Sequence, residues 1–460
     1  MDATFTIIIL IGYLITLVII GFYSQKKAKT INGFFVANRN LGTIICTTAI
    51  ASTVVGGSAT IVAGGLIYRS GLPALWIDIG GALGLIILGF FLAKKVRKTG
   101  LFTLPEITGR LYNDKVRYAS AILIIIIEIA WVSLLIQTTS LILSVVFPLE
   151  FEFILIIVTT VFVLYTLLGG QYAVVYTDLI QSIVMIIGIC IIAAPLLLID
   201  ALPHLHQLPV NHLSFPINSD IGILAASAFF IMMFMPHIVG PDIYSKILSA
   251  KNEKTAKYSA ISAGFLKFIF AIAIGIIAIS VTVLYPASQY PALQETPTLA
   301  IPTAVANINP ILAGLILASF ISVMLSSADT CLLSAGTILS VDITRRNNVK
   351  VSRIGILIVG FGALILSLYL GSIIDTLKLA YTVFTAGLTL PILFGFYKEK
   401  TRVSSKGALW SLILGGSISL IWFYLETTFF KSYYTNISYA VLVGLLVSVV
   451  PLIVFREVKK

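Results

Sequence analysis

Charge, cysteine and histidine are all scarce in this sequence of 460 residues. Aspartate, glutamate, lysine and arginine together make up 11% of the chain, whereas 58% of the residues are hydrophobic. Soluble globular domains carry about 25% charged residues, so this chain lacks the charge that would cover a water-facing surface. Its 3 cysteines are too few for a disulfide framework. A soluble enzyme, a disordered chain and a secreted disulfide scaffold are therefore excluded.

Motifs for nucleotide binding and hydrolysis are missing as well. The sequence contains no Walker loop, dinucleotide fingerprint, HExxH pair or nucleophile elbow. ATP-driven pumping and enzymatic catalysis thus have no motif to support them. Neither an enzyme activity nor an organic cofactor is expected.

Long apolar stretches recur along the whole chain, each near or above the roughly 20 residues that cross a bilayer as a helix. These stretches predict an all-α polytopic membrane protein. Hydropathy predicts thirteen spans, at 4–23, 43–67, 73–93, 118–147, 152–169, 174–199, 219–245, 257–286, 309–340, 353–372, 377–397, 407–425 and 437–455.

The placement of the basic residues predicts the orientation. If the N-terminus lies outside, most of the 30 lysines and arginines fall in cytoplasmic loops and in the C-terminal tail. The outer side keeps Arg69, Lys378 and Lys431, and Lys267 lies within a span. The positive-inside rule therefore predicts a multi-pass protein of the cytoplasmic membrane with its N-terminus outside and its C-terminus inside. The net charge of +11 is then a topology signal, and nucleic acid is not an expected partner.

Two predicted spans are interrupted by small residues or prolines. Residues 51–58 of the second span read ASTVVGGS, and residues 235–241 of the seventh read MPHIVGP. Each interruption opens a set of five spans, and because five is odd the second set must run inverted. Corresponding broken helices in two halves of a chain indicate a transporter binding site. Two ordinary kinks, packed against neighbouring helices, are the alternative interpretation.

This pattern divides the chain into five segments. The predicted segments are 1–42 (first helix and cytoplasmic loop), 43–199 (first five-helix repeat), 200–218 (outer loop), 219–397 (second, inverted repeat) and 398–460 (two further helices and a short tail).

The ninth span concentrates side chains that carry oxygen. Ser326, Ser327, Asp329 and Thr330 lie within five residues, so most of them share one helical face. A hard cation such as Na⁺ prefers several oxygen ligands, which freed carbonyl groups near residues 51–54 would complete. Hydrogen bonding between packed helices is the alternative. A carboxylate inside a membrane span is nevertheless a functional candidate by default.

Five other polar residues lie in or near spans: Asp78, Glu128, Asp178, His237 and Lys267. The charged members could bind solute or ion, relay a proton, or form half of a buried pair. The histidine could face the solute or pack between helices. The sequence leaves these options open.

Three segments carry a family resemblance. Residues 169–181, GGQYAVVYTDLIQ, resemble the signature of the sodium:solute symporter family, in which two glycines precede A-V-x-x-T-D-x-x-Q. Residues 323–330, VMLSSADT, are similar to the sodium-binding stretch of that family. Residues 240–251 resemble the segment after its seventh helix, where Ser245 and Lys246 stand in place of the usual Gln-Arg. The resemblance implies a LeuT-like fold of two inverted five-helix repeats with broken second and seventh helices.

The resemblance also implies ligands for sodium. One Na⁺ would be held by the carbonyl groups of Ala51, Val54 and Val323 and the hydroxyl groups of Ser326 and Ser327. A second ion, which some members bind, would use Asp178, Ser326, Asp329 and Thr330.

The solute would lie at the break of the second helix. The candidate contacts implied there are Thr53, Val55, Gly56, Ser58, Trp76, Asp78, Met235, His237 and Lys267. The expected activity is symport of Na⁺ with a small organic solute, such as an amino acid, a carboxylate or a sugar, by alternating access in a lipid bilayer. A monomer is the expected functional unit. A proton-coupled symporter with Asp178 or Asp329 as relay, and a transporter-like sensor module, remain alternatives.

Overall fold

Helices account for nearly all of the fold in the computed structural model, which describes residues 4–25, 30–370, 372–429 and 439–457. Within these ranges the only β-type contacts are two isolated bridges. Lys431, which the sequence assigns to the outer side, lies outside the described residues.

The main helices follow the predicted spans, and we number them α1 to α13 in chain order. They are α1 (Thr4–Gln25), α2 (Thr43–Val54 and Ile61–Ser70), α3 (Trp76–Phe91), α4 (Asp114–Ser144), α5 and α6 (the two parts of Phe151–Met185 on either side of Gly170, with α6 continuing through Ala194–Ala201), α7 (Ile223–Val239 and Pro241–Ser249), α8 (Glu253–Leu284), α9 (Pro310–Ile338), α10 (Val349–Tyr369), α11 (Ile373–Phe384, continuing through Leu390–Phe396), α12 (Ser405–Thr428) and α13 (Ala440–Val454).

Length and apolar composition qualify nine helices of the described ranges as membrane spans, or ten if the bent pair in α2 counts as one span. The remaining three, α1, α5 and α13, contain shorter apolar helices. The predicted total of thirteen spans therefore remains a prediction.

The second helix is broken where the sequence predicts. Its first part ends at Val54, and a short 3-10 turn at Gly57–Ala59 leads into the second part, whose axis is turned by 71°. Glycine is required at position 57 because a Cβ atom there would lie 2.7 Å from Thr138 Oγ1. The break exposes backbone groups that have no intrahelical partner, and in a membrane protein another group must satisfy them.

The seventh helix is interrupted at a single residue. It runs through Met235 and Pro236 to Val239, and Gly240 alone separates it from the second part. Pro241 begins that part, at a position where a missing N–H costs no intrahelical bond. The interruption is therefore milder than the one in α2, and Ile223–Ser249 qualifies as one span.

The boundary between α5 and α6 is also a single glycine. Gly170, with φ 56° and ψ −166°, lies in a region that side chains with a Cβ rarely adopt. A Cβ atom there would also lie 2.6 Å from the ring of Phe34. The second glycine of the family signature thus makes the corner between two spans.

The contacts between helices of the first five-helix set and those of the second correspond to one another. The contact of α3 with α7 corresponds to the contact of α8 with α2. In the same way, the contact of α4 with α10 corresponds to the contact of α9 with the helix that contains α5. The α3 and α8 helices also pack on each other, as do α4 and α9. Each contact is reproduced when a helix is replaced by the one five positions away, which is the relation expected of two inverted repeats. The five segment boundaries remain a prediction.

Candidate sodium and solute sites

A cavity lies against the break in α2. Residues of α2, α4, α7, α9 and α11 line it, so both five-helix sets contribute to its walls. Four of the nine predicted solute contacts are among the lining residues: Thr53, Gly56, Ser58 and His237. The hydroxyl oxygens of Ser58 and Tyr381 lie 3.3 Å apart at this wall.

The other five predicted contacts do not line the cavity. The Trp76 indole N–H donates to the carbonyl oxygen of Pro216 at 2.9 Å, and its ring stacks on Phe215 in the loop that precedes α7. Asp78 and Lys267 pair with each other, as described below. The last two are Val55, at the α2 break, and Met235, in α7. Neither is among the residues that line the cavity.

Several lining residues have no counterpart among the predicted contacts. Trp131 of α4 packs against Tyr381 and Phe384 with ring centroids 5.3 and 5.2 Å apart. Asp242 and Cys331 line the same cavity. The sequence offers little signal for Trp131, because α4 is apolar around most of its circumference and does not reveal which face turns inward.

The first predicted sodium site brings α9 against the last turn of the first part of α2. The Ser326 hydroxyl donates to the Ser52 carbonyl at 2.9 Å, and the Ser327 hydroxyl donates to the Thr53 carbonyl at 2.8 Å. Both hydroxyls also lie within 3.2 Å of the Val323 carbonyl. All of these contacts are buried, so two hydroxyl groups of α9 meet the broken helix away from water.

The two α2 carbonyl groups implied by the family have other partners in the structure. The Ala51 carbonyl accepts the Val55 N–H at 3.0 Å. The Val54 carbonyl accepts a hydrogen bond from the Lys267 ammonium at 2.9 Å. A carbonyl oxygen has two lone pairs, so each can accept a further contact.

Lys267 also forms a buried ion pair with Asp78. The Lys267 Nζ atom lies 3.1 Å from Asp78 Oδ1, and both side chains are buried. The ion pair is thus present in the structure, and the solute contact that the sequence also leaves open for these two residues stays a prediction. Glu128 differs, because both of its carboxylate oxygens are buried without a hydrogen-bond partner among the described residues.

Three residues of the second predicted sodium site lie together on α9, and the fourth, Asp178, is paired with a lysine. The Thr330 hydroxyl lies 3.3 Å from Asp329 Oδ1 and donates to the Ser326 carbonyl at 3.0 Å. Asp178 approaches from α6, and its Oδ2 atom lies 2.9 Å from the Lys246 Nζ atom. Sequence reasoning noted Lys246 as a departure from the family pattern and assigned it no partner.

Known proteins share both the sequence pattern and the fold. The sodium:solute symporter family model matches residues 34–415. A sodium/proline symporter of Staphylococcus aureus is 24% identical over 446 residues, which cover 91% of this chain and 85% of that protein.

Two solved structures resemble the whole bundle. A Na⁺-coupled sialic acid symporter in a substrate-bound, outward-open state superposes with a TM-score of 0.79 at 18% identity, over 99% of each chain. A nucleobase-cation-symport-1 family transporter, in a closed conformation with bromovinylhydantoin bound, gives a TM-score of 0.57 at 12% identity, over 91% of this chain and 93% of the other.

The broken α2 helix, the apolar helices and these structural similarities define a multi-pass helical bundle with a LeuT-like fold. The chain belongs to the sodium:solute symporter family. It is a transporter rather than an enzyme, and its activity is sodium-coupled symport of a small solute. The predictions of family, fold class and activity are thus confirmed.

Proposed function

We propose that one Na⁺ binds between α2 and α9 and drives uptake of a small organic solute held in the cavity at the α2 break. Its ligands are the hydroxyls of Ser326 and Ser327 and carbonyl groups of Ala51, Val54 and Val323. The observation that carries this proposal is the direct contact of both serine hydroxyls with carbonyl groups of α2. An arriving ion replaces these hydrogen bonds, because a hydroxyl oxygen can turn its lone pairs toward a cation.

The ion and the solute share part of their surroundings. Ser327 and Thr53 are in contact in the candidate ion site, and both line the cavity. An ion that ties α2 to α9 favours the conformation in which the cavity is complete. By linkage, the solute then raises the affinity for the ion by the same factor.

The driving force of one ion is sufficient for steep accumulation. One charge that crosses ~100 mV supplies about 2.3 kcal/mol. A tenfold Na⁺ gradient adds roughly 1.4 kcal/mol. One Na⁺ per cycle therefore concentrates a neutral solute by a few hundredfold.

The cavity suits a small solute with a polar group and a compact apolar part. It offers the hydroxyls of Ser58 and Tyr381, the indole ring of Trp131 and the Nε2 atom of His237, which has no hydrogen-bond partner in the described part of the chain. The relatives are named for proline and for sialic acid, so the proposed class is an amino acid, a carboxylate or a sugar. The further solute contacts expected near this cavity stay part of the proposal: Val55, Trp76, Asp78, Met235 and Lys267.

The remaining features of the proposal follow from topology. The N-terminus lies outside and the C-terminus inside, because this orientation leaves most basic residues on the cytoplasmic side. The functional unit is a monomer that needs no organic cofactor, since the ion site and the cavity are built from one chain.

The double substitution Ser326→Ala/Ser327→Ala tests the site. We expect it to abolish Na⁺-stimulated uptake into proteoliposomes with an imposed inward Na⁺ gradient, because two of the proposed ligands are lost. Ser319→Ala is the matched control: it removes another buried α9 hydroxyl, which donates to the Ile316 carbonyl of its own helix. Sodium stimulation that survives the double substitution would overturn the site.

The same assay separates the alternatives. Uptake driven by a pH gradient in the absence of Na⁺ would support proton coupling. Solute binding without any uptake would support a sensor module.

A further inference from the structure

The first helix, α1, precedes the two predicted five-helix sets and packs directly on α9. One side of α1 carries Thr6, Leu10 and Tyr13, whose spacing of three or four residues places them on a common face. Isoleucines with about half of their surface exposed, such as Ile11 (51%) and Ile15 (54%), lie on the other side. Thr6 and Tyr13 therefore turn toward the protein, whereas the isoleucines turn toward the lipid.

Two side-chain hydrogen bonds join α1 to α9. The Thr6 hydroxyl donates at 2.9 Å to the carbonyl oxygen of Pro310, the first residue of α9. About two turns further along α1, the Tyr13 hydroxyl oxygen accepts a hydrogen bond from the Ser322 hydroxyl at 2.6 Å. The two helices approach closely between these contacts, since a Cβ atom on Gly314 would lie 2.9 Å from a side chain of α1. Polar contacts of this kind hold membrane helices together.

The second of these hydrogen bonds lies next to the proposed sodium site. Ser322 is fully buried and comes one helical turn before Ser326, so the two hydroxyl groups lie on the same side of α9. The Ser326 hydroxyl donates to the Ser52 carbonyl of α2 at 2.9 Å. One stretch of α9 is thus bonded both to α1 and to the first part of α2. The contact with Tyr13 fixes the rotation of α9 at the height where its serines meet α2.

We propose that the Tyr13 hydroxyl is a positioning group for the sodium site, because it holds α9 in the rotation that turns Ser326 and Ser327 toward α2. This inference rests on the proposed first site. Without this hydroxyl, α9 also populates rotations in which the two serines do not face the α2 carbonyl groups. The apparent Kd for Na⁺ then rises by the reciprocal of the fraction of molecules that can bind.

The substitution Tyr13→Phe tests the inference without knowledge of the solute, because it removes one oxygen atom and keeps the ring. The measurement is equilibrium binding of radioactive ²²Na⁺ to purified protein in detergent, with choline as the replacement cation. We expect the Kd to rise roughly three- to tenfold, as for the loss of one buried hydrogen bond, with the same number of ions bound per chain. Tyr23→Phe is the matched control: Tyr23 is also in α1 but is 72% exposed, and its substitution should leave the Kd unchanged.

Two further variants separate positioning from general stability. Ser322→Ala removes the other member of the hydrogen bond and should raise the Kd by a similar factor. The double substitution Tyr13→Phe/Ser322→Ala should raise it no further, because both changes remove the same bond. Thr6→Val removes the other hydrogen bond between α1 and α9, about four turns from Ser326. It should lower the Tm in choline and leave the Kd for Na⁺ unchanged.

The outcomes distinguish a failure of this inference from a failure of the first site. A folded Tyr13→Phe variant with the Kd of the unsubstituted chain would overturn the inference. Additive effects of Tyr13→Phe and Ser322→Ala, or an equal rise of the Kd in Thr6→Val, would overturn it as well. If Tyr13→Phe does not fold, the comparison of Ser322→Ala with Thr6→Val decides the question. The first site itself is wrong if Ser326→Ala/Ser327→Ala binds ²²Na⁺ as the unsubstituted chain does.

Discussion

Two lysines of the second five-helix set each pair with an aspartate of the first set. Lys246 pairs with Asp178 and Lys267 with Asp78, and all four side chains are buried. A buried ion pair contributes little net stability compared with an apolar pair, but removal of one partner leaves an uncompensated charge. At the level of single residues, these pairs make the packing of the two halves depend on charge matching.

Substitution of Lys267 tests this dependence. We expect Lys267→Met to lower the free energy of unfolding by about 3–5 kcal/mol, because the Asp78 carboxylate loses the cation with which it pairs. The double substitution Asp78→Asn/Lys267→Met should recover a large part of the loss. Thermal unfolding in detergent measures both, and the exposed Lys251→Met is the control. A double variant no more stable than Lys267→Met would contradict the charge argument.

Single glycines shape the secondary structure at the breaks. Gly57 allows α4 to approach the turn in α2, and Gly170 makes the corner between α5 and α6. Both positions exclude a Cβ atom for reasons of space, and Gly170 also for its backbone angles. Whole helices are therefore oriented by residues that carry no side chain.

Gly170→Ala is the test at this scale. We expect it to destabilise the protein by about 1–3 kcal/mol, because alanine is strained at this φ and its Cβ would overlap the Phe34 ring. Gly12→Ala is the matched control, since a Cβ atom at position 12 of α1 meets nothing within 4 Å. That change should be neutral or stabilising by up to about 1 kcal/mol. Equal effects of the two substitutions, measured as shifts in Tm, would show that the Gly170 corner is not strained.

At the scale of the whole molecule, ion binding and stability are linked. The proposed sodium site joins α2 and α9, which belong to opposite five-helix sets, so the ion stabilises the packing of the complete bundle. A ligand that binds only the folded state adds RT ln(1 + [L]/Kd) to the free energy of unfolding.

We expect Na⁺ at one hundred times its Kd to stabilise the purified protein by about 2.7 kcal/mol relative to choline. A transported solute should add further stabilisation only when Na⁺ is present. Thermal unfolding across a panel of amino acids, carboxylates and sugars measures both effects. Identical Tm values in Na⁺ and choline at every concentration would refute sodium binding, and Ser326→Ala/Ser327→Ala should show that behaviour.

Hydropathy and local motifs are sufficient to predict the spans, the break in α2 and the oxygen-rich face of α9. Each of these features depends on residues that are neighbours in the chain. A bilayer requires long apolar segments, and glycine acts on the backbone next to it. The contact of Ser326 and Ser327 with α2 was accessible in advance because residues 323–330 resemble a family motif, and the sodium ligands implied by that resemblance include carbonyl groups of α2.

Hydropathy and local motifs could not predict the partners of the buried lysines or the face of α4 that turns inward. Lys246 and Asp178 are 68 positions apart, and Lys267 and Asp78 are 189 apart. A helix that is apolar on all sides does not indicate which of its faces meets a neighbour. Only the packed bundle sets the rotation of each helix, and this rotation turns four scattered charges into two ion pairs.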